Sequence, residues 1–207
     1  MRFLYPESIN FTFMFQRPQQ LMKAFSQAGH EAFFINKKLK LPGATNPIVA
    51  KKITKKFWVY PHGTDPMNLN ADVLYYTFPP AGMDVIEKER PDFILFDSVD
   101  EPIDGVFNFW NVGGAYYKAL EGADLVVATA ESLFKAAKKH NDEVILAPNA
   151  CDFKHFSKEA KRPVKYGDRP IVLYCGAIAT WVDLELIKAS AIVYPEYDFF
   201  CIGASMN

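Results

Sequence analysis

The stretch LVVATAESLFKAAKKHNDEVIL, residues 125–146, decides the fold. Leu125 to Ala128 is a short apolar run, and Val144 to Leu146 is a second one. Between them Thr129 stands where a helix cap belongs, and a helix starting near Glu131 would turn Leu133, Phe134 and Ala137 inward. Strand, helix and strand at this spacing make the repeating unit of a parallel sheet covered by helices. Similar runs recur outward at Arg2 to Tyr5, Ala32 to Ile35, Phe57 to Tyr60, Val73 to Thr77, Phe93 to Phe96, Ile171 to Cys175 and Phe199 to Ile202. Most are continuous rather than alternating, as expected of strands buried on both faces. The predicted class is therefore α/β, a Rossmann-like parallel sheet with helices on both faces.

Punctuation places the other helices. Pro18 fits a first helical turn, Leu21, Phe25 and Ala28 share one face, and Gly29 is a terminator. Pro79 and Pro80 open a helix through about Glu89, and Asp183 caps one carrying Leu186, Ile187, Ala191 and Val193 before Pro195. Residues 154–170, KHFSKEAKRPVKYGDRP, are strongly polar and separate two strand-rich regions. The expected organisation is a first domain over 1–160 and, over 170–207, the opening βαβ unit of a second. Such a unit cannot cover both faces of its sheet, so the chain reads as cut after Asn207.

The 207 residues carry 23 Lys+Arg against 24 Asp+Glu, a net charge of −1, which excludes a strong overall field for nucleic acid. Half the residues are hydrophobic and 15% aromatic, ample for a core and unlike a disordered chain. Cys151, Cys175 and Cys201 read as reduced core thiols. No signal peptide is expected in the first thirty residues, and the apolar runs are too short to span a membrane. The cytoplasm is the default compartment. Peripheral membrane contact stays open, because Lys37, Lys38, Lys40, Lys51, Lys52, Lys55 and Lys56 could approach anionic headgroups. A solvated loop surface is the plainer reading of those lysines.

Dinucleotide and P-loop glycine fingerprints are absent, as is the G-x-S-x-G elbow, which disfavours a nicotinamide oxidoreductase. His30, His62, His140 and His155 are scattered, and no metal site is expected. Three stretches could carry chemistry. Phe15-Gln16-Arg17-Pro18 opens a helix beside the carboxyl end of the first strand, where a guanidinium could hold a phosphate or carboxylate, or simply pair with an acid. Asp97-Ser98-Val99-Asp100-Glu101 follows an apolar strand at the edge where open α/β sheets bind ligands, although a solvated loop would look the same. Gly176-Ala177-Ile178 lies at a strand-to-helix turn ahead of Trp181 and Asp183, where backbone amides could cradle a diphosphate.

These pieces in this order resemble the retaining, nucleotide-sugar-dependent glycosyltransferases of GT-B architecture, family 4 type, particularly the teichuronic acid biosynthesis transferases. The matching text is FQRPQQLMKAFSQAGHEAFFIN, FDSVDEP, ADLVVATAESLFKAAKK, ILAPNACDFKHF, YCGAIATWVDLELI and YPEYDFFCIG. The resemblance implies a UDP- or GDP-sugar donor, a cell-surface glycan or lipid-linked acceptor, no cofactor, no metal, and reaction in a cleft between two domains. It places Arg17, Gln16 and Glu131 on the acceptor side, Asp97 or Asp100 on the attacking hydroxyl, and Gly176, Ala177, Ile178, Trp181 and Asp183 on the donor side. Two departures stand out. Pro148-Asn149-Ala150-Cys151-Asp152 replaces the usual Pro-Asn-Gly-Val-Asp, and the family's paired acidic donor motif would lie beyond Asn207, so this chain alone is expected to be inactive. A non-catalytic, Rossmann-like ligand- or partner-binding module is the alternative.

Overall fold

The structure is a computed structural model describing residues 1–40, 45–88, 91–100, 113–159 and 167–205. Glu89, Glu101 and positions 160–166 of the polar stretch lie outside the described residues. The chain forms two compact units, Met1–Ala150 and Cys151–Asn207.

In chain order the first unit contains β1 (Arg2–Tyr5), α1 (Arg17–Gln27), β2 (Glu31–Ile35), β3 (Lys51–Thr54), β4 (Phe57–Tyr60), β5 (Val73–Tyr76), α2 (Pro79–Lys88), β6 (Phe93–Ser98), α3 (Gly113–Gly122), β7 (Leu125–Ala128), α4 (Glu131–Ala137) and β8 (Val144–Leu146). Its sheet has eight strands in the order β3-β4-β2-β1-β5-β6-β7-β8. All pairings are parallel except β3 with β4. Mostly parallel strands with helices on both faces are the α/β class expected from the sequence.

Strand parity sorts the core into two layers. Phe3, Tyr5, Phe34, Val73 and Tyr75 pack with Met22 and Phe25 of α1, while Leu4, Phe33, Leu74, Tyr76, Ile94 and Phe96 pack with Val85 of α2, Leu120 of α3 and Leu133 of α4. Each such side chain contributes about 1.5–3 kcal/mol when fully buried. The deepest apolar residue of α1 is Met22, one position beyond the expected Leu21, which is only partly buried. The helix still ends as expected, with Gly29 at φ +94°.

Three local expectations are corrected. Thr129 does not cap α4, whose N-cap is Ala130; its Oγ1 donates instead to Ser98 O at 3.3 Å and Val99 O at 3.2 Å. The cysteines are free as expected, but all three are exposed rather than buried. β6 also runs two residues further than the apolar pattern, taking Asp97 and Ser98 into the sheet.

The second unit contains α5 (Phe153–Phe156), β9 (Ile171–Cys175), α6 (Leu184–Val193) and β10 (Asp198–Ile202). β9 and β10 pair in parallel from Ile171↔Asp198 to Cys175↔Ile202. Asp183 caps α6 by accepting from Leu186 N at 2.8 Å, as its position predicts. Arg169 fastens the turn into β10, donating to the carbonyls of Pro195, Glu196 and Tyr197 and pairing with Asp198 at 3.3 Å. Among the described residues, no helix of either unit is long and apolar enough to cross a membrane.

Candidate functional site

The same parity that builds the core places Asp97. Along β6, Ile94 and Phe96 face α2 and α3, so Leu95 and Asp97 face the α1 side. Asp97 is fully buried there. A buried carboxylate needs a cation and hydrogen bonds, and both come from distant parts of the chain. Arg17 Nε donates to Asp97 Oδ2 at 2.7 Å, and Tyr75 Oη donates to the same oxygen at 2.8 Å. Asp97 Oδ1 has no partner among the described residues.

Arg17 is the first residue of α1, where the partial charge of the helix is positive. A cation there opposes the helix dipole, so the carboxylate of Asp97 offsets an unfavourable local choice. Burial alone would lower the guanidinium's proton affinity, but the hydrogen bond and charge of Asp97 outweigh it and hold Arg17 above its ordinary value. Burial, and then the charge of Asp97, push the Tyr75 hydroxyl well up, which keeps it a donor. Arg17 Nη1 reaches toward Pro148 O at 3.4 Å and Asn149 Oδ1 at 3.5 Å. Its Nη2 makes no hydrogen bond among the described residues, so the fork has donors to spare for an anion.

The loop that delivers Arg17 is held by three buried amides. Asn10 Oδ1 accepts from Thr12 N at 3.0 Å and Phe13 N at 3.2 Å, and Asn36 Oδ1 accepts from Phe11 N at 2.8 Å. Gln19 Oε1 accepts the amide of Gln16 at 3.1 Å, while its Nε2 lies 3.4 Å from Asn10 O. Met14 sits in the left-handed region at φ 49°, which bends the chain back toward the sheet. Gln16 and Gln19 thus fix the helix start together, as N-cap and third residue of a reciprocal capping box.

The other expected residues fall at different distances from this cluster. Asp100 is exposed beyond the end of β6, and partial loss of hydration raises its carboxyl above the ordinary value. Glu131 is exposed at the start of α4 and pairs with Lys135 at 3.7 Å. In the second unit, the Gly176 amide donates to Ile202 O at 3.0 Å and that of Ile178 to Ala204 O at 2.9 Å. Strand pairing therefore uses two of the three amides expected to cradle a diphosphate. Tyr174 Oη donates to Ala177 O at 2.8 Å and shapes the same turn. Trp181 is exposed, and Asp183 serves as the cap of α6.

Sequence reasoning missed a cleft of about 490 Å³ lined by Pro6, Glu7, Asp65, Met67, Asp84 and Val85 among others. It lies where the sheet order reverses, since the chain leaves β1 for β2 on one side and returns to β5 on the other. Ligands of open α/β sheets bind at such a reversal. Glu7 Oε1 meets His62 Nδ1 at 2.5 Å, and Glu7 Oε2 accepts from Gly63 N at 2.9 Å. The available signal was positional: Glu7 follows β1 by two residues, and His62 follows β4 by two.

No protein-family model matches this sequence, and no curated protein is similar to it. Among solved structures, the chain is similar to sucrose-phosphate synthase from Thermosynechococcus elongatus, with a TM-score of 0.68 at 11% identity. The match covers 98% of this chain and 62% of that one, so this chain spans less than two thirds of its neighbour's length. At that identity the likeness concerns the fold alone, and it agrees with the α/β architecture of a mostly parallel sheet with helices on both faces read from the sequence.

Proposed function

We propose that this chain carries the acceptor side of a glycosyltransferase. The enzyme would move a sugar from a UDP- or GDP-sugar to a cell-surface glycan or lipid-linked acceptor, with retention at the anomeric carbon. The observation that carries this reading is Arg17, a cation set against its own helix dipole and fixed by the buried Asp97. A local rule broken at that cost is expected where function requires it. The fold likeness to sucrose-phosphate synthase supports the same reading.

Residue roles follow from position. Arg17 binds an anionic group of the acceptor through its free N–H donors, and Asp97 is a positioning residue that aims it. Asp97 itself is too buried to meet a hydroxyl, so orientation of the attacking hydroxyl falls to the exposed Asp100. Gln16 and Glu131 border the acceptor, and Gly176 to Ile178 with Trp181 and Asp183 shape the donor side. Departure of the nucleoside diphosphate leaves positive charge on the sugar, and cationic side chains with helix termini oppose the leaving group's negative charge. The reading needs no cofactor and no metal.

Saturation-transfer NMR with a hexose phosphate and the same hexose without phosphate tests the acceptor assignment. The phosphate is expected to bind at least tenfold more tightly, and Arg17→Lys, which keeps the ion pair but removes the fork, should abolish the difference. Equal binding of both sugars, or none, would overturn it. A non-catalytic ligand-binding module is the second reading, favoured by the commitment of the Gly176 and Ile178 amides to strand pairing. It predicts hexose phosphate binding, and no release of nucleoside diphosphate from UDP- or GDP-sugars even when a nucleotide-sugar-binding domain is supplied alongside.

A further inference from the structure

Residues 32–64 contain seven lysines and neither Asp nor Glu, in a chain whose overall charge is −1. The structure gathers five of those lysines at one corner of the sheet, at the carboxyl ends of β2 and β4 and on the edge strand β3 beside them. Lys37, Lys38 and Lys40 follow β2 at its carboxyl end, and the antiparallel register Lys51↔Val59 and Lys52↔Trp58 brings Lys51 and Lys52 to the same end of β4, one on each face of the edge strand. Lys55 and Lys56 occupy the turn at the opposite end, where Lys56 Nζ donates to Gly29 O at 2.6 Å.

Asparagines tie the two lysine segments together. Asn46 Oδ1 accepts from Leu39 N at 2.9 Å and its Nδ2 donates to Leu39 O at 2.7 Å, while Asn10 Nδ2 donates to both Lys37 O and Thr45 O at 3.0 Å. Immediately after this clamp stand Ile48 and Val49, 91% and 69% exposed. Among the described residues none of the five lysines makes an ion pair, and Lys52 lies over the ring of Trp58 at 5.5 Å. Of the nearby acids, Glu31 pairs with Arg2, Glu7 with His62, and Asp65 accepts from Met67 N at 3.1 Å as a cap.

We propose that this edge docks on an anionic lipid surface, with Ile48 and Val49 entering the boundary between headgroups and acyl chains and the five lysines lying over the headgroups. Protection of the β3 edge against strand pairing would account for Lys51 and Lys52, but not for the lysines after β2 or for an apolar pair left in water. A nucleic-acid face would set Ile48 and Val49 against phosphates with nothing to gain. Charge supplies attraction from a distance and the apolar pair supplies depth, the two signals that stable peripheral binding requires. This inference does not rest on the glycosyl-transfer reading.

Co-sedimentation with vesicles of phosphatidylcholine, alone or with about 30% phosphatidylglycerol, tests it at low ionic strength. Binding is expected to the anionic vesicles and to be at least tenfold weaker to the neutral ones. Neutralising each lysine should weaken it roughly fivefold, so the fivefold Lys→Gln variant at 37, 38, 40, 51 and 52 should not sediment. Ile48→Ser with Val49→Ser should weaken it about tenfold without changing the melting midpoint, since both side chains are exposed. The emission of Ile48→Trp should shift to the blue on anionic vesicles alone. No vesicle binding, equal binding to both compositions, insensitivity to the Ile48 and Val49 changes, or tighter binding to a DNA duplex would each overturn the proposal. None of these readouts depends on sugar transfer.

Discussion

The ion pair between Arg17 and Asp97 joins residues 80 positions apart and decides what each can do. Removing one member of a buried pair strands the other, so Arg17→Ala is expected to lower stability by about 3 kcal/mol, measured by urea unfolding. Arg17→Lys should cost about 1 kcal/mol, because it keeps the charge and loses only the fork. Asp97→Ala alone should also destabilise, but in the double variant the loss should fall well short of the sum, since neither charge is then left behind. Additive losses would show that the pair is not coupled and would remove the reason for treating Asp97 as the residue that aims Arg17. The residue types were legible in the sequence, because a cation at a helix start and acids after a strand are informative by position. Their pairing was not, since nothing local to Phe93–Ser98 says that the strand continues through Asp97 and buries it.

At the scale of elements, close packing of two glycines makes the sharpest demands. A Cβ on Gly82 would lie 2.3 Å from Cδ2 of Tyr76, a ring that is itself fully buried between β5 and α2 and cannot retreat. Gly82→Ala should therefore destabilise the first unit by about 1–3 kcal/mol, although alanine is the better helix former by roughly 1 kcal/mol. In the second unit a Cβ on Gly203 would stand 1.7 Å from the carbonyl oxygen of Gly176. Gly203→Ala should pull apart the end of the β9–β10 pair, and hydrogen exchange at the Gly176 and Ile178 amides would report it as lost protection. Retained protection would show that the β9–β10 pair gives way enough to admit a Cβ at position 203. Strands written as apolar runs were readable, whereas β3 was not: Lys-Lys-Ile-Thr is a polar edge strand held by its partner. Thr129 misled for a similar reason, since its hydroxyl donates to the carbonyls of Ser98 and Val99 instead of accepting an amide of the helix it precedes.

At the scale of the whole molecule, the first unit was legible because its central strands bury both faces, so apolar runs, their spacing and their helical separators all agree. The cleft at the sheet reversal was not, because strand order is a long-range property that no local pattern carries. The same double-sided burial has a consequence for alkaline stability. Tyr5 is pushed to about 12 by burial, Tyr75 well above its ordinary value by burial and the charge of Asp97, and Tyr76 upward by burial. A raised folded value means that the unfolded chain releases these protons first. Their contribution is therefore complete below pH 10 and falls as pH climbs through the folded values, by about 1.4 kcal/mol per pH unit for each tyrosine. Urea unfolding at successive pH values should show stability flat up to about pH 9 and dropping steeply above pH 10. Tyr76→Phe isolates one third of this slope, because the Tyr76 hydroxyl is buried without a hydrogen-bond partner among the described residues. At neutral pH that variant should equal or exceed the parent in stability, by up to about 1 kcal/mol. Above pH 10 its stability should fall less steeply, so the advantage grows with pH. If the two proteins instead lose stability in parallel between pH 10 and 12, Tyr76 ionises as readily in the folded sheet as in the open chain, and the dry interior assigned to the α2 face is wrong.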